Sequence, residues 1–466
     1  MAEQHFKPSL GLRDATMIVA GSMIGSGIFI VSADIVRNVG SPAWLIMIWL
    51  LAGFMTMMAA LSYGELSGMF PKAGGQYVYL REAYHPLLAF LYGWSFFAII
   101  QTGTIAAVGV AFSRFTAYLI PAFNEDNLIL DSEFLKISSA QVLSIACLVF
   151  LTFLNTRGVE KGKHVQTVFT ITKLLSLFGL IVFGFIMMKA EVWNANWSKG
   201  WNLHSMQSLA GENGDLLNSI GLIAAAMVGS IFSYDAWNNV TFIAGEIKDP
   251  KRNIGLSLLL GTLMVTCIYV LANVMYLSVL PLDGIAHAAK DRVGVAASQI
   301  IFGDWGTIII ALMIMISTFG CNNGLILAGA RVYYTMAKDG LFFRQAGELN
   351  KFNVPQPALW MQCVLASFWC LSGKYGDLLD MVSFVVVLFY ILTVAGVFIL
   401  RKRRPDAERP YKTFAYPVLP ILYIIMGAAF CILLIIYKPR FTWPGLLITL
   451  AGIPIYYLAM GRRKKD

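Results

Sequence analysis

An all-α integral membrane protein with about twelve spanning helices is the fold class this sequence predicts, and three observations carry the prediction. Of the 466 residues, 58% are hydrophobic and 13% charged, with a mean hydropathy of +0.69. That balance leaves too little polar surface for a soluble chain of this length. The apolar residues also gather into runs long enough to cross a bilayer, and two of those runs, the first and the sixth, are interrupted by residues ill suited to hydrocarbon.

A span needs about 20 mainly apolar residues. By that measure the spans run over 13–37, 43–68, 87–120, 139–156, 166–188, 218–245, 255–280, 305–337, 357–373, 378–400, 414–437 and 442–460. The first is long, broken by glycine and lacks a small-residue cleavage site, so it reads as a span and not as a cleavable signal. Aromatic residues at 13% and 41 glycines suit interfacial belts and close helix packing.

An even number of spans puts both ends on one side. The connections 69–86, 157–165, 246–254, 331–356 and 401–413, together with the two termini, hold about 24 of the 35 basic residues, against about 10 in the other set. Both termini are therefore expected in the cytoplasm, with the chain in the cell membrane. The net charge of +9 is explained by topology and by attraction to an anionic bilayer surface, so no nucleic-acid partner is expected. The closing Arg462-Arg463-Lys464-Lys465 reads as a stop-transfer anchor. Cys147, Cys267, Cys321, Cys363, Cys370 and Cys431 all lie in apolar runs without metal-type spacing, and His5, His85, His164, His204 and His287 are scattered. No metal site, cofactor or disulfide is expected.

Span 1 contains Gly21, Ser22, Gly25, Ser26 and Gly27 at its centre. Gly21-x-x-x-Gly25 by itself is equally a helix-packing face, but such a face needs neither the third glycine nor the serines. Span 6 carries Phe232-Ser233-Tyr234-Asp235-Ala236-Trp237-Asn238-Asn239, and an acid at that depth costs about 2.5–3.5 kcal/mol on insertion scales. Backbone that leaves the helix inside a membrane survives only against protein or a watery cavity. Spans 1 and 6 correspond if spans 1–5 (residues 1–188) and 6–10 (189–401) are two halves of opposite orientation, followed by spans 11 and 12 (402–466). Paired interruptions of this kind point to the midplane site of an inverted-repeat transporter.

The chemistry of the two breaks is complementary. A broken span 1 offers the amides and positive dipole end of its second half, which suit a carboxylate. A broken span 6 offers carbonyls and the Asp235 carboxylate, which suit an ammonium group. A ligand with both charges close together is an α-amino acid, and glycine lets it approach the main chain.

At these residues the sequence resembles the amino acid, polyamine and organocation superfamily and, within it, a bacterial-type member of the L-type amino acid transporter family. The resemblance rests on "GSMIGSGIF" (21–29), "SYGELSGMFPKAGGQYVYLREAY" (62–84), "VQTVFTITKLLSL" (165–177), "FSYDAWNNVTFIAGEIKDPKRNI" (232–254) and "RRPDAERPYK" (403–412). It implies the leucine-transporter fold, a 5+5 inverted repeat plus two helices, working by alternating access. It also implies that substrate is held at Met23, Ile24, Gly25, Ser26 and Gly27 and at Phe232, Asp235 and Asn238. Amides of Ser26 and Gly27 would meet the carboxylate, and carbonyls of Met23, Phe232 and Asp235 the amino group. Phe232 would act as a gate, and Asn238 would shape the side-chain pocket.

Lys173 lies about seven residues inside span 5, too deep for an easy reach to the interface at 1.5 Å per residue. In the family, a lysine in this helix stands where sodium-coupled relatives bind sodium, which implies sodium-independent transport. A buried amine also leaves proton coupling through Lys173 open. Relatives that pair with a single-pass glycoprotein carry a cysteine after span 3, whereas 121–138 has none, so no disulfide-linked heavy subunit is expected. Asp235 replaces a glycine of some relatives. Turned into the pocket it would favour cationic substrates; capping the half-helix it would leave neutral ones preferred, and the cap is the expectation. Glu65, Glu246 and Asp249 read as packing or ion pairing at the cytoplasmic helix ends.

An enzyme is not indicated, since nucleophile–base pairs, metal clusters and a phosphate loop are all missing from the sequence. A channel would call for a repeated pore element. The function expected is sodium-independent exchange of neutral amino acids, with proton symport and cationic amino acid or polyamine transport as alternatives. Specificity would be set where spans 3, 6, 8 and 10 converge, around Gln101, Gly103, Asn322 and Val386.

Overall fold

The computed structural model describes residues 8–131, 136–198, 200–204, 206, 216–372 and 375–463. His5 and the Lys464-Lys465 end of the basic tail lie outside them, as does 132–135 of the connection after span 3. Each of the twelve expected spans has a helical counterpart. Span 1 is two helices, α1 (Leu12–Met23) and α2 (Gly27–Val39), bent by 45° at Ile24–Ser26. Helix α3 (Pro42–Met69) starts cleanly because Ser41 Oγ accepts the Trp44 amide at 3.3 Å and Pro42 needs no donor partner there.

A short helix α4 (Gln76–Ala83) leads into span 3, which is not uniform. It runs as α5 (Pro86–Ser95), a π-helical turn Phe96–Ile100 and α6 (Gln101–Thr116). A hairpin of β1 (Leu128–Asp131) and β2 (Lys136–Ser138) follows. Then come α7 (Ser139–Thr156), α8 (Val159–Ile186) and the surface helix α9 (Ala190–Trp197).

Span 6 is α10 (Leu216–Ser233), a non-helical turn, and the four-residue α11 (Asn239–Phe242). Beyond it lie α12 (Pro250–Val279), the short α13 (Leu282–Ala286) and α14 (Val293–Phe302), α15 (Gly306–Lys338), α16 (Gln356–Ser372), α17 (Tyr375–Arg403), α18 (Val418–Tyr437) and α19 (Pro439–Arg463). Among the described residues, eight continuous stretches are long and apolar enough to cross a membrane, and the bent α1–α2 pair makes nine. The other three counterparts, α10, α16 and α19, are shorter or less apolar over their described residues.

The packing explains why these helices bury so much small and aromatic surface. α3 lies along α12, α6 and α8 flank α15, and α2 lies along α10. Trp49, Tyr234 and Tyr269 interlock by ring edges at 5.1–5.9 Å. Outward faces are apolar instead: Leu175, Phe178 and Phe183 on α8 and Ile425, Ile432 and Ile436 on α18 are exposed, which suits lipid and would be a liability in water.

At the face bearing the 70–85 connection, ion pairs bind the helix ends. Glu65, 1% exposed, accepts from Arg401 Nε at 2.9 Å and Nη2 at 2.7 Å and also from Thr413 N at 2.7 Å. Glu246 meets Arg331 at 2.9 Å, both buried. Asp249 stands at the start of α12, where its carbonyl accepts Asn253 N at 2.9 Å. On the same face, Ser9 and Leu10 donate their amides to the Glu246 carbonyl, so the segment before α1 is tied to the end of span 6.

Candidate substrate site

A break in a membrane helix frees carbonyls as well as amides, and each must find a partner. In span 1 side chains meet the freed carbonyls. Gly21 O and Ile24 O accept from the Lys173 ammonium, the latter at 2.7 Å. Ser22 O accepts from Cys321 Sγ at 2.9 Å, and the Tyr269 hydroxyl lies 3.0 Å from Met23 O. Ser317 Oγ reaches Ile24 O at 3.1 Å and Gly25 O at 3.2 Å. Five consecutive carbonyls, from Gly21 to Gly25, are thus held by α8, α12 and α15. Lys173, 2% exposed, does not snorkel; its charge lies against the carbonyl end of α1, where a cation is favoured.

The second break is built differently. α10 stops at Ser233, Asp235 N turns back to Phe232 O at 3.0 Å, and Ala236 takes a left-handed φ of +64°. Asn239 N then closes on Ala236 O at 3.2 Å. The two breaks touch. A Cβ added at Gly27 would stand 2.1 Å from Ser233 Oγ and 2.8 Å from its Cβ, and the Tyr269 hydroxyl lies 3.0 Å from Ser233 O as well as from Met23 O. The uncapped first turn of α2, behind Ser26 and Gly27, therefore faces the carbonyl end of α10.

Asp235 departs from the expectation. It does not cap the second half of span 6: Asn238 holds the N-cap position of α11, and no side chain caps that helix. Four residues make too short a helix to reward a cap, and the Asp235 carboxylate finds a stronger donor, the Tyr390 hydroxyl of α17 at 2.6 Å. It borders two cavities. One, of about 10 Å³ and so room for about one water, is lined by Gln76, Tyr92, Phe96, Ile100, Gln101, Asn238, Asn239, Val386 and Tyr390 besides. The other, of about 20 Å³, lies among α3, α10, α17 and α18.

The expected residues thus divide into two groups. Met23 to Gly27 meet Ser233 across the breaks, with Phe232 buried beside them at the end of α10. Asp235, Asn238, Gln101 and Val386 converge on the first cavity. Gly103 and Asn322 do not line it. A Cβ on Gly103 would meet Val382 at 3.0 Å, and the Asn322 amide reaches the α6 backbone at Ile105 O and Gly109 N. Sequence reasoning missed Gln76, Tyr92 and Tyr390, and the π turn whose Phe96 and Ile100 wall the cavity. Such turns recur at functional sites, but nothing in "FFAII" announces one.

Residues 10–459 match the family described as amino acid permease. The chain belongs to this family. The permease is 30% identical over 456 residues, 97% of its own length and 81% of the relative's, to the large neutral amino acids transporter small subunit 2 of Homo sapiens. It is 28% identical to the Asc-type amino acid transporter 1 of Mus musculus, over 98% of this chain and 82% of that one. The same identity links it to the b(0,+)-type amino acid transporter 1 of Homo sapiens, over 96% and 87%. The permease is a multi-pass membrane protein that transports amino acids. Among its described residues no cluster of three His, Cys, Asp or Glu side chains is arranged for a metal ion.

Proposed function

We propose that this permease exchanges neutral L-amino acids by alternating access, without sodium, in a cell membrane with both termini in the cytoplasm. The observation that carries this reading is the contact of two oppositely polarised half-helix ends at Gly27 and Ser233. The amide end of α2 suits the substrate carboxylate and the carbonyl end of α10 its ammonium. Ser26 and Gly27 are assigned to the first, and the carbonyls around Phe232 and Asp235 to the second. Phe232 is the gate. Met23 O and Ile24 O are already engaged by Tyr269, Lys173 and Ser317, which makes those two residues part of the frame of the site.

The Lys173 ammonium sits on two carbonyls of the break, and a protein-borne cation at that place removes the need for a bound one. The halves 1–188 and 189–401 are the two repeats, with 402–466 an addition to them. One relative is called a small subunit, so a second subunit is a fitting partner for this chain too. A disulfide through 121–138 is not available, because that connection has no cysteine.

The test is uptake of radiolabelled leucine into sodium-free proteoliposomes, empty or preloaded with neutral amino acids, at two external pH values. Uptake confined to preloaded vesicles and indifferent to pH supports exchange. Equal uptake into empty vesicles that rises with an inward proton gradient refutes it and makes Lys173 the residue to examine. Arginine and lysine belong among the competitors, because Asp235 borders the cavity instead of capping a helix; competition equal to that of leucine would overturn the neutral preference.

A further inference from the structure

Away from the breaks, a larger cavity of about 330 Å³ opens at the far end of span 3. Span 3 starts beside the 70–85 connection and ends at Thr116, so the cavity lies at the opposite face, which is the outer one where the termini are cytoplasmic. Arg114, Tyr118 and Glu125 wall it from the end of α6 and the segment after it, and Lys290 and Arg292 from the turn before α14. The volume is that of a small-molecule pocket, and the charges around it do not balance. Glu125 is the one acid among these wall residues, and Arg114 already donates to it. Two cations are left. Lys290 Nζ stands 3.7 Å from Asp126, with both side chains more than half exposed, a loose pair of little worth. Arg292 makes no ion pair among the described residues, and its guanidinium lies over the rings of Tyr118 and Phe115, 4.8 and 5.4 Å from their centres. Stacked by its face, it keeps the edge of its nitrogen fork for a planar, bidentate partner.

The turn that carries both cations is strained. Lys290 and Asp291 take left-handed φ values of +52° and +64°, a conformation that residues with a Cβ seldom adopt and that gathers at ligand clamps. Asp291 accepts from Arg37 in the last turn of α2, and Arg37 also donates to Ala286 O at 2.8 Å. The turn is thereby fixed to the outer end of α2. The ten residues from Arg37 down to Gly27 span about 15 Å at 1.5 Å per residue, and Gly27 stands at the amide end assigned to the substrate carboxylate.

We propose that this cavity is an outer docking site for a second amino acid molecule, whose carboxylate is held by the Arg292 fork with the Lys290 ammonium beside it. A zwitterion carries no net charge, so the gain comes from contact at short range and not from long-range steering. The site reads the carboxylate and no side chain, so amino acids of different side chain use it alike. The proposal rests on the reading of the permease's inner carboxylate site at Ser26 and Gly27.

The experiment counts labelled leucine bound to the purified protein by equilibrium dialysis, for wild type, Arg292→Gln, Arg292→Lys and Lys290→Gln, with the melting temperature of each. Wild type is expected to bind two leucines, the second more weakly. Arg292→Gln should weaken the second site roughly 10- to 100-fold, the worth of a hydrogen bond to a charged group, and leave the first unchanged. Arg292→Lys keeps the charge without the fork and should fall between the two. Lys290→Gln, at a half-exposed side chain, should weaken the second site about threefold with melting unchanged, which keeps the test valid if loss of the Arg292 stacking lowers the melting temperature. One leucine bound to wild type, or a second site unmoved in both glutamine variants, overturns the docking site and leaves the reading of the breaks standing. Displacement of the second leucine by inorganic phosphate at concentrations where acetate has no effect assigns the cavity to inorganic anions and overturns the proposal too. If wild type binds no amino acid at all, the underlying reading fails first.

Discussion

Adding one carbon at Gly27 tests the contact on which the site depends. In Gly27→Ala the new Cβ would lie 2.1 Å from Ser233 Oγ, 2.8 Å from Ser233 Cβ and 3.3 Å from its Cα. The hydroxyl can rotate away from its bond to Gly229 O, but Cβ and backbone cannot. Carbon atoms rest about 3.5–4.0 Å apart, so the two breaks must separate by roughly 1 Å. Overpacking of that kind costs typically 1–3 kcal/mol. Ser233→Gly removes Oγ and Cβ and leaves only the mild contact at 3.3 Å, so the double variant should recover most of the loss. The assays are thermal denaturation in detergent and leucine exchange in proteoliposomes, run on both single variants and the pair. A coupling above about 1 kcal/mol between the two substitutions is expected, since residues in contact do not behave additively. Gly27→Ala with wild-type melting and wild-type exchange would refute the argument, and so would a double variant no better than the single one.

Lys173→Met removes the donor from the Gly21 and Ile24 carbonyls, and leaving buried acceptors unmet costs about 1–3 kcal/mol; melting should fall and exchange should drop at least tenfold, while wild-type exchange is the same in sodium and choline. Glu246→Gln strips the carboxylate from the buried Arg331 guanidinium, a loss of about 3–5 kcal/mol for a broken buried pair, read as a lower melting temperature. Burial raises the Glu82 carboxyl, but the Arg404 and Arg81 hydrogen bonds outweigh it and hold Glu82 below its ordinary 4.5. A depressed carboxyl stabilises fully above its unfolded value and loses that contribution as pH falls through the folded one. Glu82→Gln should therefore melt lower than wild type at pH 7 and equal to it well below pH 4.5.

Much of the architecture was legible because hydrocarbon is an unforgiving solvent. Apolar runs of span length had to become helices, and glycines, serines and an acid at mid-depth had to mark places where helices fail. The bend at Ile24–Ser26 and the turn after Ser233 fall where the composition put them. Span 3 was read as one helix, and its π turn escaped because Phe96–Ile100 is as apolar as the turns around it. The direction of Asp235 was misjudged for a different reason: capping is a local rule, and its alternative, Tyr390, lies 155 residues away in sequence.

The sequence by itself determined that this chain spans a membrane, where its helices break, and that an acid, Asp235, stands at the second break. These follow from local composition, because each residue's transfer cost is its own. Only the tertiary structure decided which side chains satisfy the five freed carbonyls of span 1, that Gly27 lies against Ser233, and that Gln76, Asn238 and Tyr390 join at one cavity. Those are pairings between segments remote in sequence, and the hydrogen bonds that select them exist only once the helices have packed.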